Sequence, residues 1–348
     1  MFFIRPIEAK DLAIYQELAF NASPGITTLP KSKPLLEKKI NFSNESFQKK
    51  TTAPNHELYL FVLEDFTSQM VGGTCGIYSQ SGMYSSPCFY DVVAEKLNSP
   101  LLTSEVRVLH PKKYTIGPSE VCGIFLKKEF RHSGLGKLLS LSRFLFMATF
   151  PHLFTHTIIS SIRGWIDPAG NSPFWNSLGR HFLPIPLKEA FPLLENKKIS
   201  YEDILSRYPI PLALLSHRAR AVIGKPHRNS KPALMLLQKE GFRVSSEIDI
   251  LDGGPKLIAQ QEHIHTILKN KVARISEITK EPIDSVPYLL SNQSKAFRVC
   301  YGNLNIQKDG TVSIPAKVCE MLQVDKGDSV RFLDLSYHDK KGKPYAIK

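Results

Sequence analysis

The segment 119–150 constrains the fold of this chain most strongly. Residues 119–126 have the apolar pattern of a buried strand, and a short charged turn leads to an Arg131-x-x-Gly134-x-Gly136 motif that opens a long, apolar-periodic helix. Glycines carry no side chain, so backbone N–H groups and the positive end of the helix can approach an anion closely. The segment therefore predicts a phosphate-binding loop at the start of this helix.

Composition narrows the class of protein. The chain has 348 residues, of which 42% are hydrophobic and 22% charged, which predicts an ordinary folded protein of roughly two domains. Its formal net charge of +13 comes from basic residues scattered in pairs. Because no cluster of five to eight cations is present, nucleic-acid binding is disfavoured and a generally solvated surface is favoured.

The five cysteines are odd in number and far apart, without a C-x-x-C pair, which predicts reduced thiols and no zinc site. His263-x-His265 lacks further ligands, so no metal is expected. The start of the chain lacks the apolar segment of a signal peptide, and the most apolar later stretch is broken by Pro151. We expect a soluble, cytoplasmic protein without a membrane span.

The chain divides into two similar units and a tail. Residues 1–154 hold strands at 58–65 and 71–78, then an elongated β excursion over 79–117. The pattern begins again at 155 and closes at 270, with a strand over 158–164, a helix opening at Ser172 and a helix over 231–239. A polar segment, 276–292, lies within the tail, 271–348, which we interpret as a small β-rich C-terminal domain.

The order of strand, glycine loop and helix, with a later helix, Gly241-Phe242 and strand, resembles the GCN5-related N-acetyltransferase superfamily. This likeness implies an α/β fold of tandem acyltransferase-like halves. The loop amides would hold the coenzyme diphosphate, and the splayed strand before them would pair with the pantetheine amides. The residues thus assigned to coenzyme binding are Ile124, Phe125, Leu126, Arg131, Gly134, Leu135 and Gly136. The side chains of Ile124, Phe125 and Leu126 also suit an ordinary apolar core. Both interpretations can hold, because the coenzyme would be bound by backbone groups of these residues.

Further motifs carry a closer resemblance. They are Arg163-Gly164-x-Ile166-Asp167-x-x-Gly170-x-Ser172-Pro173-Phe174-Trp175, Val222-Ile223-Gly224-x-x-His227, Asp249-Ile250-x-Asp252-Gly253-Gly254-Pro255 and, nearer the start, Ile4-Arg5-Pro6, Thr28-Leu29-Pro30 and Ser142-Arg143-Phe144. Together they resemble the bacterial arginine N-succinyltransferase family. The resemblance implies transfer of succinyl from succinyl-CoA to the α-amine of arginine, the first step of arginine catabolism to glutamate and succinate. It also implies a homo-oligomer without a permanently bound cofactor.

The same resemblance implies that His227 is the catalytic proton donor and that Ile124 contacts succinyl-CoA. A histidine suits the role because its ordinary pKa of about 6.5 lets it carry a proton near neutral pH. Without the resemblance, a solvated loop histidine is an equal interpretation, since the chain holds eleven histidines. His132 and the His263–His265 pair are interpreted as structural.

An arginine substrate needs carboxylates for its guanidinium and a cation for its carboxylate. Asp167, Asp249 and Asp252 are the candidate acids, and Arg163 is a candidate for an acidic group. Ser172 or Arg163 is a candidate for the succinyl carboxylate. The alternative is that these aspartates form their own turns and that Arg163 pairs internally.

The chain departs from the family pattern before the coenzyme strand. The family has an Asn-Asp pair there, followed by an aromatic residue or histidine and Thr-Gly, whereas this chain has the basic segment 110–117. This departure keeps open a related acyl-CoA N-acyltransferase with another amine or acyl donor. The tail, with its Asp309-Gly310 hairpin signal and Ser-Ile-Pro entry to a helix, is also similar to swapped-hairpin DNA-binding modules of the AbrB type. A non-enzymatic DNA-binding or regulatory protein is therefore the second alternative.

Overall fold

The computed structural model describes residues 1–22, 25–26, 28–82, 87–99, 102–131 and 134–336. Within them the strands are β1 Phe2–Pro6, β2 Leu58–Asp65, β3 Val71–Tyr78, β4 Cys88–Ser99, β5 Leu102–Lys113, β6 Ser119–Leu126, β7 Thr157–Ser161, β8 Ile210–Pro211, β9 Arg243–Asp249, β10 Pro255–Gln260, β11 Lys271–Thr279, β12 Tyr288–Ser291, β13 Val299–Gly302, β14 Asn305–Ile306, β15 Val312–Pro315 and β16 Ser329–Asp334. The α-helices are α1 Leu12–Asn21, α2 Lys33–Gln48, α3 Leu135–Thr149, α4 Pro173–Ser177, α5 Leu187–Glu195, α6 His217–Val222, α7 Lys231–Lys239, α8 His265–Lys269 and α9 Ala316–Leu322. The predicted α/β class and β-rich C-terminal region are confirmed.

All these strands join edge to edge, in the order β14-β15-β11-β16-β12-β13-β1-β2-β3-β6-β7-β10-β9-β4-β5-β8. The pairs β6–β7 and β11–β15 are parallel, and the other neighbouring pairs are antiparallel. The predicted excursion over 79–117 forms the long β4–β5 hairpin, which joins the sheet through β9.

The two central parallel strands separate almost at once. β6 and β7 pair only through Ser119–Ile158 and Glu120–Ile159. Beyond that point β6 carries a bulge, because Thr74 of β3 faces Phe125 while Gly76 faces Cys122. Gly123, at a φ of +59°, takes the left-handed backbone conformation that the bulge requires. The splay opens a cleft between β6 and β7 on the carboxyl side of their pairing.

Helices cover both faces of the sheet beside this splay. α3 packs on β1, β3, β6 and β13, whereas α1 and α2 pack on β2 and β3 in a separate apolar cluster. Phe146 of α3 lies fully buried between Phe47 and Phe61. These contacts fix the C-terminal half of α3 against the sheet.

A second core supports the far end of the sheet. Phe174 and Trp175 of α4 are fully buried and pack with Tyr90 of β4 and Leu187 of α5. The indole nitrogen of Trp175 donates a hydrogen bond to the carbonyl oxygen of Ile185, 2.9 Å away. This core fixes the segment between β7 and α4, which carries several of the residues that the family motifs contain.

The C-terminal strands extend the central sheet. β13 pairs with β1 through Cys300–Phe3 and Val299–Ile4. Phe297, just before β13, is fully buried with its ring centroid 5.1 Å from that of Phe146. The boundaries after residues 154 and 270 stay predictions, but this contact shows how closely the C-terminal strands pack on α3.

Replacing Phe297 with leucine is expected to lower the free energy of unfolding by about 1.5 kcal/mol, since it leaves space against two aromatic rings. Because Phe297 packs on α3, we expect one cooperative transition that includes the C-terminal strands. Calorimetric unfolding measures this, with Phe20→Leu as the control, because Phe20 is 57% exposed. A separate early transition in the variant, with the main transition unmoved, would show an independent C-terminal domain.

Three further observations bear on the predictions about cysteines, membrane spans and metal sites. All five cysteines are buried, and they are thiols rather than halves of disulfide bonds. Over the described ranges, no helix combines the length and apolarity needed to cross a bilayer. In the same residues, no three His, Cys, Asp or Glu side chains gather closely enough to hold a metal ion.

Candidate active site

The splay of β6 and β7 forms a cleft of about 1060 Å³. All seven residues assigned to coenzyme binding line it, and so do Arg163 and Asp249. The start of α3 lies at one part of the cleft and the start of α7 at another, while Gly25, Ile26 and Lys39 contribute from the opposite side. One continuous space therefore joins the glycine loop, the bulge of β6 and the end of β9.

The described residues of the glycine loop leave room for an anion at the start of α3. Gly134 caps α3 at a φ of +75°, a conformation that favours glycine. A Cβ atom on Gly136 would meet no other atom within 4 Å, so the space beside it is open. Arg131 donates a hydrogen bond from Nε to the carbonyl oxygen of Leu126 (2.9 Å), which ties the loop to the end of β6. His132 lies outside the described residues.

The strand wall offers backbone groups to a ligand. Phe125 is buried, while Ile124 and Leu126 are half-buried. Among the described residues, β6 has no strand partner on the β7 side beyond Glu120. The N–H and carbonyl groups along this edge of the bulge are the ones that a pantetheine amide would pair with.

Two carboxylates give part of the cleft an acidic character. Glu120 of β6 accepts a hydrogen bond from the hydroxyl of Ser161 (3.0 Å), and burial raises its pKa. Asp249, at the end of β9, accepts the N–H of Leu251 at 2.7 Å, and burial raises its pKa too. Asp249 also raises the pKa of Glu120, so the two negative charges are close enough to interact. A cationic ligand between them would relieve that repulsion.

Glu120 was not predicted from the sequence as a site residue. It occupies the second position of a strand whose other residues suit an apolar core. The sequence did contain one signal for it. An acidic residue in a strand that is otherwise apolar indicates a functional group, because a buried charge needs a partner.

His227 lies beside the cleft. Its side chain is half-buried and is not part of the lining. Two residues that do line the cleft adjoin it: Arg228, which follows it in sequence, and Arg163, which contacts its ring. Its backbone N–H donates to the carbonyl oxygen of Arg163 (2.9 Å), and its Nδ1 accepts the backbone N–H of Asn229 (3.1 Å) and a guanidinium N–H of Arg163. Two donors at Nδ1 leave the proton of the neutral ring on Nε2.

The environment keeps this ring neutral. Burial lowers the pKa of His227, and the positive charges of Arg163 and Arg228 lower it further. An imidazole whose Nδ1 is occupied by donors can act on a ligand only by donating from Nε2. The arrangement thus suits a hydrogen-bond donor better than an imidazolium acid.

Three other predicted substrate residues make bonds within the fold. Asp167 accepts the N–H of Asn171 (2.8 Å) in its own turn, and Ser172 is fully buried as the cap of α4. Asp252 is buried and accepts the N–H groups of Gly164 (2.7 Å) and Gly254 (2.8 Å). Burial and Asp249 raise the pKa of Asp252 to about 8. None of the three lines the cleft, so their predicted substrate contacts stay untested predictions.

The basic segment that departs from the family pattern contacts the opposite strand. Tyr114 donates a hydrogen bond to Glu247 of β9 (2.5 Å), and Lys112 also binds Glu247. Lys256, 2% exposed, pairs with Glu247 and places its ammonium 3.9 Å from the ring centroid of Phe89. Since Phe89 lines the cleft, this network stiffens the wall of the cleft from behind.

Comparison with known proteins agrees with this geometry. The sequence model for the arginine N-succinyltransferase beta subunit matches residues 2–266, and the model for the C-terminal domain of the same beta subunit matches residues 271–334. The chain is 32% identical over 339 residues to an arginine N-succinyltransferase subunit beta of Pseudomonas aeruginosa, covering 96% of this chain and 98% of that one. It is 33% identical over 344 residues to an arginine N-succinyltransferase of Salmonella schwarzengrund, covering 97% and 98%.

A solved structure gives the same result. Arginine/ornithine succinyltransferase subunit AI from Pseudomonas aeruginosa superimposes with a TM-score of 0.88 at 30% identity, covering 97% of this chain and 99% of that one. Sequence and structure thus agree from the first strand to the last. With both sequence models matched in order, the chain belongs to the arginine N-succinyltransferase family.

Proposed function

We propose that the chain transfers the succinyl group of succinyl-CoA to the α-amine of arginine and releases coenzyme A. The observation that carries this proposal is the single cleft, which joins an anion cradle at α3 to an acidic region at Glu120 and Asp249. Such a cleft is complementary to a diphosphate at one end and to a cationic amine at the other. The names of the relatives indicate a succinyl group as the group transferred and arginine as its acceptor.

The coenzyme would bind along the loop and the splayed strand. The amides of the first turn of α3, with Arg131, would hold the diphosphate. The backbone of 123–126 would pair with the pantetheine arm. The thioester would then lie at the bulge, between β6 and β7, where the amine can reach its carbonyl carbon.

The reaction needs no covalent intermediate on the protein. The neutral α-amine attacks the thioester carbonyl, a C–N bond forms, and the C–S bond then breaks. The amine loses one proton, and the sulfur gains one as it leaves. Proximity in one cleft supplies much of the rate acceleration, because it turns a bimolecular encounter into an attack within a complex.

His227 would act as a fixed donor. Its Nε2–H is the group available to stabilise negative charge on the carbonyl oxygen or on the departing sulfur. Arg163 and the N–H of Asn229 hold the ring in this tautomer. A neutral imidazole that donates in this way strengthens its bond as charge develops in the transition state.

Glu120 and Asp249 would receive the cationic arginine. Glu120→Gln keeps the size and the bond to Ser161 but removes the charge, so the KM for arginine is expected to rise about 10-fold. The KM for succinyl-CoA should change little, which steady-state kinetics with each substrate varied can measure. Glu281→Gln, at an exposed site, is the control. Equal rises in both KM values would contradict an acceptor-specific role.

The function itself is tested by incubating the protein with succinyl-CoA and a mixed amino-acid pool and identifying the products by mass spectrometry. The expected product is Nα-succinylarginine, with one equivalent of free thiol. Turnover only with another amine or acyl donor would support the related N-acyltransferase. No turnover, with tight and salt-sensitive binding of duplex DNA, would support the non-enzymatic alternative.

Assembly and location also remain proposals. Two of the relatives are named as subunits. These names indicate assemblies of more than one chain. We propose that this protein forms a homo-oligomer in the cytoplasm, and light scattering on the purified protein would measure the number of chains.

A further inference from the structure

A buried arginine lies in the wall of the cleft. Arg143, on the third turn of α3, is 2% exposed and lines the cleft on the face of the sheet that α3 covers. It comes nine residues after Gly134, which is about 13 Å along the helix axis. This position is too deep for the diphosphate at the helix start and lies towards the splay, where the acyl group would be.

The hydrogen bonds of Arg143 are local. Its Nε donates to the carbonyl oxygen of Ser140 (3.2 Å), and its Nη2 donates to the hydroxyl of the same serine (3.1 Å). Among the described residues, it forms no ion pair with a carboxylate. The groups that interact with its charge are the buried thiols Cys75 and Cys122 and, from the end of α7, Glu240. Burial is the strongest influence, and it lowers the pKa of the guanidinium.

Another buried arginine shows what a satisfied one looks like. Arg5 is 3% exposed and forms ion pairs with Asp11 (2.7 Å) and Glu64 (2.5 Å). The fold thus surrounds Arg5 with carboxylates, whereas Arg143 faces the cleft with no carboxylate paired to it among the described residues. A buried charge without a counterion is costly for the folded state, so its presence beside a ligand cleft points to an anion supplied by the ligand.

The other cations of the cleft are placed differently. Arg163 is engaged with His227 and lies close enough to the carboxylate of Asp252 to feel its charge. Lys39 donates to the carbonyl oxygen of Thr28 (2.6 Å) on the opposite side of the sheet. Arg131 at the glycine loop and Arg228 next to His227 are both exposed. Arg143 is therefore the cation whose place and lack of a carboxylate suit a small anionic group in the depth of the cleft.

We propose that Arg143 binds the terminal carboxylate of the acyl chain and so selects dicarboxylic acyl donors over neutral ones. A guanidinium matches a carboxylate through two parallel hydrogen bonds, which an ammonium cannot reproduce. This inference rests on the proposed acyl-CoA binding, and it makes Arg143 a specificity-determining residue. It also replaces Ser172, which is buried as a helix cap, as the partner of that carboxylate.

The test compares succinyl-CoA with butyryl-CoA, which has the same four-carbon chain without the carboxylate. The wild-type protein should prefer succinyl-CoA, and in Arg143→Gln the ratio of kcat/KM for the two donors should fall about 30-fold. Arg143→Lys should restore only part of the preference. Arg298→Gln, which removes a half-buried arginine that packs on Phe3, is the matched control. An unchanged ratio, or equal losses with both donors, would overturn the proposal.

Binding measurements separate this result from the proposed function. By calorimetry, the wild-type protein should bind succinyl-CoA more tightly than butyryl-CoA, and the difference should vanish in Arg143→Gln, even if arginine proves not to be the acceptor. Folding is checked with Arg143→Met, whose unliganded melting temperature should equal or exceed that of the wild type, because a desolvated charge is removed. Loss of the preference in a variant that melts normally supports the proposal. A preference that persists in the methionine variant contradicts it.

Discussion

Replacing Gly136 with aspartate is expected to raise the KM for succinyl-CoA by about 100- to 1000-fold without unfolding the protein. The Cβ atom has room, since no atom lies within 4 Å of it. An acidic residue in the first turn of a helix is also favourable to the helix itself. The new carboxylate would occupy the anion cradle and repel the diphosphate at short range, so binding should suffer while the melting temperature does not.

Gly136→Asn is the matched control, because it has the same size without the charge. It should weaken binding less than the aspartate does, and the difference between the two variants should shrink at high salt. Fluorescence or calorimetric titration with coenzyme A measures both. Wild-type affinity in Gly136→Asp would place the coenzyme outside this loop.

His227→Ala is expected to lower kcat by about 100- to 1000-fold, the usual effect of removing one donor that stabilises developing charge. The KM for succinyl-CoA should stay close to the wild-type value, because the ring lies beside the lining of the cleft. Single-turnover kinetics measures the chemical step directly. An unchanged kcat would contradict the assignment, and a loss confined to KM would make His227 a binding residue.

The pH profile distinguishes a neutral donor from an imidazolium acid. The pKa of His227 is lowered below its ordinary value of 6.5, so the ring is neutral at pH 7, and its protonation should add a loss of activity only as pH drops below that value, separate from the loss at higher pH that comes from protonation of the substrate α-amine. An imidazolium acid would instead lose activity as pH rises through its pKa. The free energy of unfolding should change in the same direction. Because the pKa of His227 is lower in the folded state, the unfolded chain binds more protons at acidic pH, and the stability that the neutral ring contributes is lost as pH falls. His227→Gln should remove this acidic limb.

Local signals predicted the centre of the fold. β2, β3 and β6 lie where their apolar runs place them, and α7 begins and ends at the predicted residues. Each of these elements has its own periodicity and its own turn residues. No strand was predicted within the polar segment 276–292, which holds the end of β11 and all of β12. Those strands are stabilised by β16 and β13, so their own sequences give little signal.

α2 was missed for a related reason. Its sequence is polar on average, and its apolar side is carried by Leu36, Ile40 and Phe47, spaced for a helix but separated by lysines and asparagines. The pairing of β13 with β1 was also beyond prediction, since it joins residues nearly 300 positions apart.

Some residues of the candidate site could be predicted from local motifs, and others could be recognised only from the fold. The glycine loop and Arg163 were found because their motifs are local, and they do line one cleft. Asp249 and Asp252 look alike in sequence, yet one lines the cleft and the other binds the N–H groups of Gly164 and Gly254. Only the fold shows which acid faces the cleft. Arg143 could not be singled out from the sequence, because it lies within the apolar pattern of α3. The structure draws attention to it because its side-chain hydrogen bonds go to Ser140 and not to a carboxylate.

The most direct test is a crystal structure of the protein with succinyl-CoA. We expect the diphosphate on the first-turn amides of α3 beside Gly134 and Gly136, and the thioester between β6 and β7 at Gly123. A coenzyme bound elsewhere, with this cleft empty at saturating ligand, would contradict the account.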